Sequence, residues 1–186
     1  MNRDTFEPSP LTEVDRHATD AGWTLVFVRE LSHPPEKVWT ALTDPAHLAE
    51  WAPYTADRDL ASPGAATLTM IDGETAEDVP ASVIRAERPT LLEYSWGEDL
   101  LRWDLTATVA GTRLVLRHTL KDRDWLPKVA AGWHLCLDVA ARLLDGDPIG
   151  PIRGGDAVNY GWHELNAAYC DTLGIPNTGL PDDVAH

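Results

Sequence analysis

The sequence predicts an α+β domain in which a curved antiparallel sheet lies against one long C-terminal helix. Three observations predict it. Leu126, Val129, Trp133, Cys136, Leu137, Ala140, Leu143 and Leu144 recur at three- and four-residue steps, the spacing of one side of a 3.6-period helix. Between Pro53 and Val109 that period is lost, and apolar and polar residues alternate between turn-forming pairs. Finally, a long helix with one wide apolar face needs a large apolar partner, which such a sheet supplies.

Up to residue 22 the chain is polar, carries Pro8 and Pro10 and has no clear period, so it reads as a flexible or loosely docked lead-in. Trp23 to Leu31 is rich in β-branched and aromatic residues, as a first strand is. Pro34-Pro35 opens a short helix over Glu36 to Thr43, because proline's missing N–H is harmless in a first turn. Thr43-Asp44-Pro45 ends it and starts a second short turn carrying His47, Leu48 and Trp51.

Segments 65–71, 79–87, 90–96 and 99–109 then alternate as strands, separated by Ser62-Pro63-Gly64, Asp72-Gly73, Arg88-Pro89 and Gly97-Glu98. A last strand, Thr112 to Leu120, follows the Ala110-Gly111 turn. Alternation puts Leu92, Tyr94 and Trp96 on one face, and does the same for Leu101, Trp103 and Leu105 and for Leu114, Leu116 and His118. The long helix spans Leu126 to Leu144, with Asp124 as its N-cap and Asp145-Gly146 before Pro148 as its stop. Its His134, Asp138 and Arg142 fall on the side opposite the apolar face, where contact with solvent is expected. A loop over 146–155 leads to a final helix, Asp156 to Leu173, with Val158, Trp162, Leu165, Tyr169 and Leu173 along one face. Leu135 and Val139, off the main face of the long helix, are the surface this last helix should cover. Residues 175–186 read as a frayed tail.

At 186 residues, with 44% hydrophobic and 24% charged residues, the chain has the length and make-up of one globular domain. Thirty Asp plus Glu against 15 Lys plus Arg give a formal charge of −15, a field that disfavours nucleic acid and anionic membranes. The N-terminus lacks the basic start and apolar run of a signal peptide, and no apolar stretch approaches the roughly 18 residues of a transmembrane helix. Two cysteines, Cys136 and Cys170, make no disulfide scaffold, so a cytoplasmic, reducing location is expected. Eight Trp are many for one small domain, and such residues either fill cores or line pockets.

Several segments resemble one family. Pro35-Glu36-Lys37-Val38-Trp39, Ala41-Leu42-Thr43-Asp44-Pro45, Leu48 and Trp51 are similar to the "aPpekVWxALTdPxxLxxW" opening of AHSA1-like proteins. Those proteins (activator of Hsp90 ATPase homologue 1-like) are a branch of the SRPBCC / START / Bet v 1-like superfamily. Arg88-Pro89 with Leu92, Tyr94 and Trp96 resembles that branch's "epPxxLxysW" strand. Gly111-Thr112-Arg113-Leu114 with His118 resembles its "GTrLxLxH" strand, and Gly132-Trp133 with Leu137-Asp138 and Leu144 its "GWxxxLdxL" helix. The resemblance covers residues 23–145 and implies a helix-grip fold, a curved sheet wrapped around the long helix. Residues 146–174 are then a loop and extra helix packed on that domain.

The resemblance also implies a cavity between sheet and long helix, mostly apolar with a few placed polar groups. Tyr94, Trp96, Trp103, His118 and Trp133 are the residues expected to line it, with Trp51 and Met70 near its mouth. The competing reading is that these aromatics simply fill the core. His118 is the one histidine that alternation places on an apolar strand face. It is either a hydrogen-bonded core imidazole or an anchor and proton carrier for a bound carbonyl or hydroxyl, and it is the one candidate catalytic residue.

Other groups carry less. His134 and Asp138 are one turn apart, as metal ligands can be, but neither HExxH nor CxxC supplies the rest of a site, so no metal is assigned. His163-Glu164 has the same standing. Cys136 faces the apolar side as a small hydrophobe. Gly154-Gly155-Asp156 lacks the lysine and strand of a phosphate loop. There is no GxSxG or Ser-His-Asp arrangement.

The expected function is therefore the binding of a small apolar, aromatic or lipid- or polyketide-like molecule. A cyclase- or hydrolase-like enzyme in the same cavity is the alternative, on fold analogy. Third stands a co-factor of an Hsp90-type ATPase, as the family name implies, which requires an exposed protein-facing patch. No cofactor is expected, and a homodimer stays open.

Overall fold

The computed structural model describes residues 3–179. Eight strands form one antiparallel sheet: β1 (Val14–Thr19), β2 (Gly22–Leu31), β3 (Tyr54–Ala56), β4 (Gly64–Asp72), β5 (Thr75–Glu87), β6 (Leu91–Trp96), β7 (Asp99–Thr108) and β8 (Gly111–Leu120). Their spatial order is β1-β2-β8-β7-β6-β5-β4-β3, so a continuous meander from β3 to β8 closes against the N-terminal hairpin. The helices are α1 (Pro35–Thr43), α2 (Pro45–Trp51), α3 (Leu126–Leu144) and α4 (Trp162–Leu173). The sheet grips α3, the two short helices lie between β2 and β3 in sequence, and α4 packs on α3 from the other side. This is the α+β helix-grip arrangement with an added C-terminal helix.

The three alternation sets all face inward. Leu92, Tyr94, Leu101, Trp103, Leu105, Leu114, Leu116 and His118 are buried, and only Trp96 is partly exposed. Register joins the sets, with Leu92 opposite Trp103, Trp103 opposite Leu116, and Leu101 opposite His118. Asp44 separates the two short helices by accepting from the Ala46 and His47 N–H groups at 2.8 and 3.1 Å, which holds its carboxyl below the usual range.

Four expectations change. Residues 3–19 are not a loose lead-in. Phe6 is buried edge-on to Tyr160, Ser9 is bonded to α3, and Val14–Thr19 pairs with β2 as an edge strand. Asp124 does not cap α3. A 3-10 turn, Arg123–Trp125, intervenes, capped by Asp122, and the first turn of α3 has no side-chain cap. The last helix is split, because Gly161 at φ +85° ends a 3-10 run over Gly154–Tyr160 before α4 begins.

The fourth change is the largest. His134 and Asp138 are buried, because α3 has neighbours on every side and thirteen of its 19 residues are enclosed. A helix lying between a sheet and another helix has no solvent side to spare. Leu135 and Val139 are buried too, and α4 lies against α3. Of the tail, Ile175 is buried, while residues 180–186 lie outside the described residues. No helix among the described residues is long and apolar enough to cross a membrane.

Candidate functional site

Six of the seven expected cavity residues meet in one aromatic cluster. Trp103 stands edge-on to Trp51 and Trp133, at 6.2 and 5.3 Å between ring centres, and Trp96 reaches Trp133 at 6.3 Å and Tyr54 at 5.0 Å. Such T-shaped contacts put a ring's positive edge on its neighbour's negative face. The polar atoms of the cluster are paired internally. Tyr54 and Tyr94 share a hydroxyl–hydroxyl bond, and Trp103 Nε1 donates to the Tyr94 oxygen at 3.1 Å. Burial pushes the Tyr94 phenol up to about 12 and likewise raises Tyr54 well above its ordinary value, so both stay protonated. Trp51, expected near a mouth, lies fully inside and donates its indole N–H to the Ala41 carbonyl at 2.8 Å.

His118 is held at both ring nitrogens. Trp133 Nε1 donates to His118 Nδ1 at 3.0 Å, and His118 Nε2 lies 2.8 Å from Asp99 Oδ2. An indole N–H can only donate, so Nδ1 is the acceptor and Nε2 carries the proton towards the half-buried Asp99. Neither nitrogen is free to act on a bound molecule. The imidazole's work is to orient Trp133.

Open space lies beside this cluster. An inner crevice of about 200 Å³ is bordered by Trp96 on β6, by Val129, Gly132, Trp133 and Cys136 on α3, and by Ile152, Arg153, Ala157 and Trp162 from the C-terminal extension. It adjoins an outer crevice of about 300 Å³ that shares Val129, Gly154, Ala157 and Trp162 and adds Met70, Trp125, Lys128 and Val158. Trp96, Trp133 and Met70 therefore border open space, whereas Trp51, Tyr94, Trp103 and His118 border neither crevice. Burial pushes the Cys136 thiol up to about 12, which makes it an apolar wall and no nucleophile. Among the described residues no group of three His, Cys, Asp or Glu is placed to hold a metal.

Trp125, Trp162 and Arg153 are border residues that the sequence reading missed. Trp162 carried a signal, as part of an apolar helix face. Arg153 sits in an aperiodic loop, where no pattern marks a residue as inward.

The outer wall is pinned to the sheet. Gly155 N–H donates to Asp72 Oδ1 at 2.9 Å, and Gly154 at φ +50° leaves so little room that a Cβ would sit 2.1 Å from the same oxygen. A Gly154→Ala substitution should therefore release this wall, at a cost of about 1–2 kcal/mol from the left-handed backbone alone. Faster proteolysis within 146–161 and a lower melting temperature are the expected readings; unchanged cleavage would mean that the pin is dispensable.

A second polar group lies at the far side of α3. Asp138 accepts from the Ser9 N–H and Oγ at 2.8 Å each and pairs with Arg29 from the inner face of β2. His134 Nδ1 lies 2.7 Å from the Tyr169 hydroxyl on α4, and its Nε2 lies 3.1 Å from the Ser9 carbonyl. Burial alone would raise the Asp138 carboxyl, but the His134 bond, the Arg29 charge and the Ser9 N–H together hold it below the usual value. Every partner is satisfied, and the group ties the N-terminal segment, β2, α3 and α4 together.

Comparison with known proteins supports the architecture. The family model described as activator of Hsp90 ATPase homolog 1-like protein matches residues 32–145. No curated protein matches the chain. Among solved structures, CalU16 from Micromonospora echinospora is similar, with a TM-score of 0.64 and 22% identity over 87% of this chain and 96% of that one. The protein of unknown function EF2215 from Enterococcus faecalis matches with a TM-score of 0.66 and 17% identity over 89% and 93%. An AHSA1-like protein from Aeromonas hydrophila gives 0.57 and 20% over 66% and 92%. At these identities the likeness is one of fold. The first two cover a larger share of this chain than the third, and more than the family model's 114-residue span.

Proposed function

Because the chain belongs to the activator of Hsp90 ATPase homolog 1-like family, we propose that it binds a small apolar or aromatic molecule in the two-lobed crevice along α3. The observation that carries this reading is the border of that crevice. Trp96, Trp133, Trp162 and Val129 surround open space of about 200 Å³ beside the closely packed aromatic cluster. Binding sites of this kind are apolar clefts of a few hundred cubic ångströms with few polar groups. The adjoining volumes of about 200 and 300 Å³ suit a compact aromatic or a short elongated ligand.

Gly132 provides the test. It borders the inner lobe, lies within α3, and a Cβ built there meets nothing within 4 Å. A Gly132→Leu side chain should occupy the lobe, while the loss of a helical glycine favours the fold by about 0.5–1 kcal/mol. Titration with the neutral dye N-phenyl-1-naphthylamine, read by its emission, should show binding to the wild type and at least tenfold weaker binding to Gly132→Leu, with no fall in unfolding midpoint. Absence of binding to the wild type, or equal binding to both proteins, would remove the crevice as the site.

A further inference from the structure

Among the described residues Arg153 is the only charged one on the inner lobe, and its side chain is half-buried. It is held rigidly: Nε donates to the Ala52 carbonyl at 2.7 Å and Nη2 to the Ala49 carbonyl at 2.8 Å, so one edge of the guanidinium docks on the C-terminal end of α2. Nη1 makes no hydrogen bond among the described residues. The Glu50 carboxylate is near enough to act on the cation but forms no ion pair with it. The other basic group at the crevice, Lys128 in the outer lobe, is already committed, with Nζ 2.8 Å from Thr178 Oγ1 and over the Trp125 ring. A half-buried guanidinium with only carbonyl partners, in a chain with 30 acids, is a cation left without its anion.

From this we infer that Arg153 sets the specificity of the crevice for an amphipathic monoanion, whose carboxylate or sulfonate bonds Nη1 while its apolar body lies along Trp96, Trp133 and Trp162. The inference rests on the proposed binding function and deepens it. A planar guanidinium with one edge fixed presents its remaining donors in a set direction, which suits a forked anionic head and rejects a ligand that ends in hydrocarbon. The outer lobe, with Met70 and Val158, continues the apolar path for a longer body.

The test uses two dyes that share one apolar body. N-phenyl-1-naphthylamine is neutral, and 1-anilinonaphthalene-8-sulfonate adds the anionic head. Wild type should bind the sulfonate more tightly than the neutral dye. Arg153→Met should weaken the sulfonate about tenfold, the worth of a charge-assisted hydrogen bond, while the neutral dye stays within twofold. Arg153→Lys should restore part of the preference. Equal affinity of the wild type for both dyes would overturn the inference and leave the binding function standing. Equal weakening of both dyes in Arg153→Met would overturn it as well, assigning Arg153 to holding its loop. Failure of the wild type to bind the neutral dye tells against the binding function itself, and the inference falls with it.

Discussion

Replacing Asp138 by alanine should lower the free energy of unfolding by about 3–5 kcal/mol, the cost of stranding a buried charge. Arg29 points inward from β2 with its side chain only 14% exposed, and Asp138 is 6% exposed. Without Asp138 the guanidinium keeps its burial but loses its carboxylate, and Ser9 loses the acceptor for both its N–H and its hydroxyl. The pair need not be worth that much in itself. Replacing both partners at once, as Arg29→Met with Asp138→Leu, should recover most of the loss, because apolar groups can fill the same space without a desolvation penalty. Denaturant midpoints of the single and double variants check this, and a loss below about 1 kcal/mol in Asp138→Ala would mean that water reaches the pair.

The same group gives stability a pH dependence of known sign. The Asp138 carboxyl is held below its ordinary value of 3.8 in the folded protein. The unfolded chain therefore binds its proton first as pH falls, and the contribution of Asp138 is complete above the ordinary carboxylate range. It is lost as pH drops through the lowered folded value. The gap between wild type and Asp138→Ala should accordingly narrow below about pH 4, and a gap that widened with acid would contradict the assignment.

The second large effect is expected at Trp133. Its truncation to alanine should cost about 3–5 kcal/mol, the usual range for a buried tryptophan. Three consequences add at one site: loss of the contacts to Trp103 and Trp96, an unpaired His118 Nδ1, and a crevice enlarged into the core. Trp133→Phe separates them. It keeps an apolar ring but no N–H, so the unpaired imidazole nitrogen should account for about 1–3 kcal/mol. Paired with dye titration, the two variants show whether the ring itself is needed to form the inner wall. A Trp133→Ala protein as stable as the wild type would place this ring outside the cooperative core.

The gripping sheet was legible because alternation is a local signal with a global meaning. Leu92, Tyr94 and Trp96, read as one face, point inward together, and the register carries that face across β7 and β8. β1 and β3 escaped notice for physical reasons. β1 is an edge strand exposed over most of its length, so its residues show no apolar period, and β3 has only three residues.

The misreading of His134 and Asp138 has a sharper lesson. A helical wheel assumes one buried side, whereas α3 meets the sheet, α4 and the N-terminal segment. The clue lay elsewhere, in β2. Arg29 falls in phase with Leu25, Phe27 and Leu31, and an inward-pointing cation in a strand demands a buried anion. The polar side of α3 was the place to look for it. Arg153 offered no comparable clue, since a loop residue acquires its direction from the carbonyls it happens to meet.

One topological feature bears on how this molecule comes into being. β2 lies in the sheet between β1 and β8, so Leu25 pairs with His118 across half the length of the chain. Closing such a span costs entropy before any contact returns it, and sheets joined this way assemble slowly. The hairpin of β1 and β2 and the meander from β3 to β8 can each form from near neighbours, but the seam between β2 and β8 cannot. His118, Arg29 and the inner surface for α3 are all assembled along that seam. The seat of α3, the buried polar group around Arg29 and cooperative folding are thus the late products of a single event, the meeting of the two ends of the sheet-forming chain.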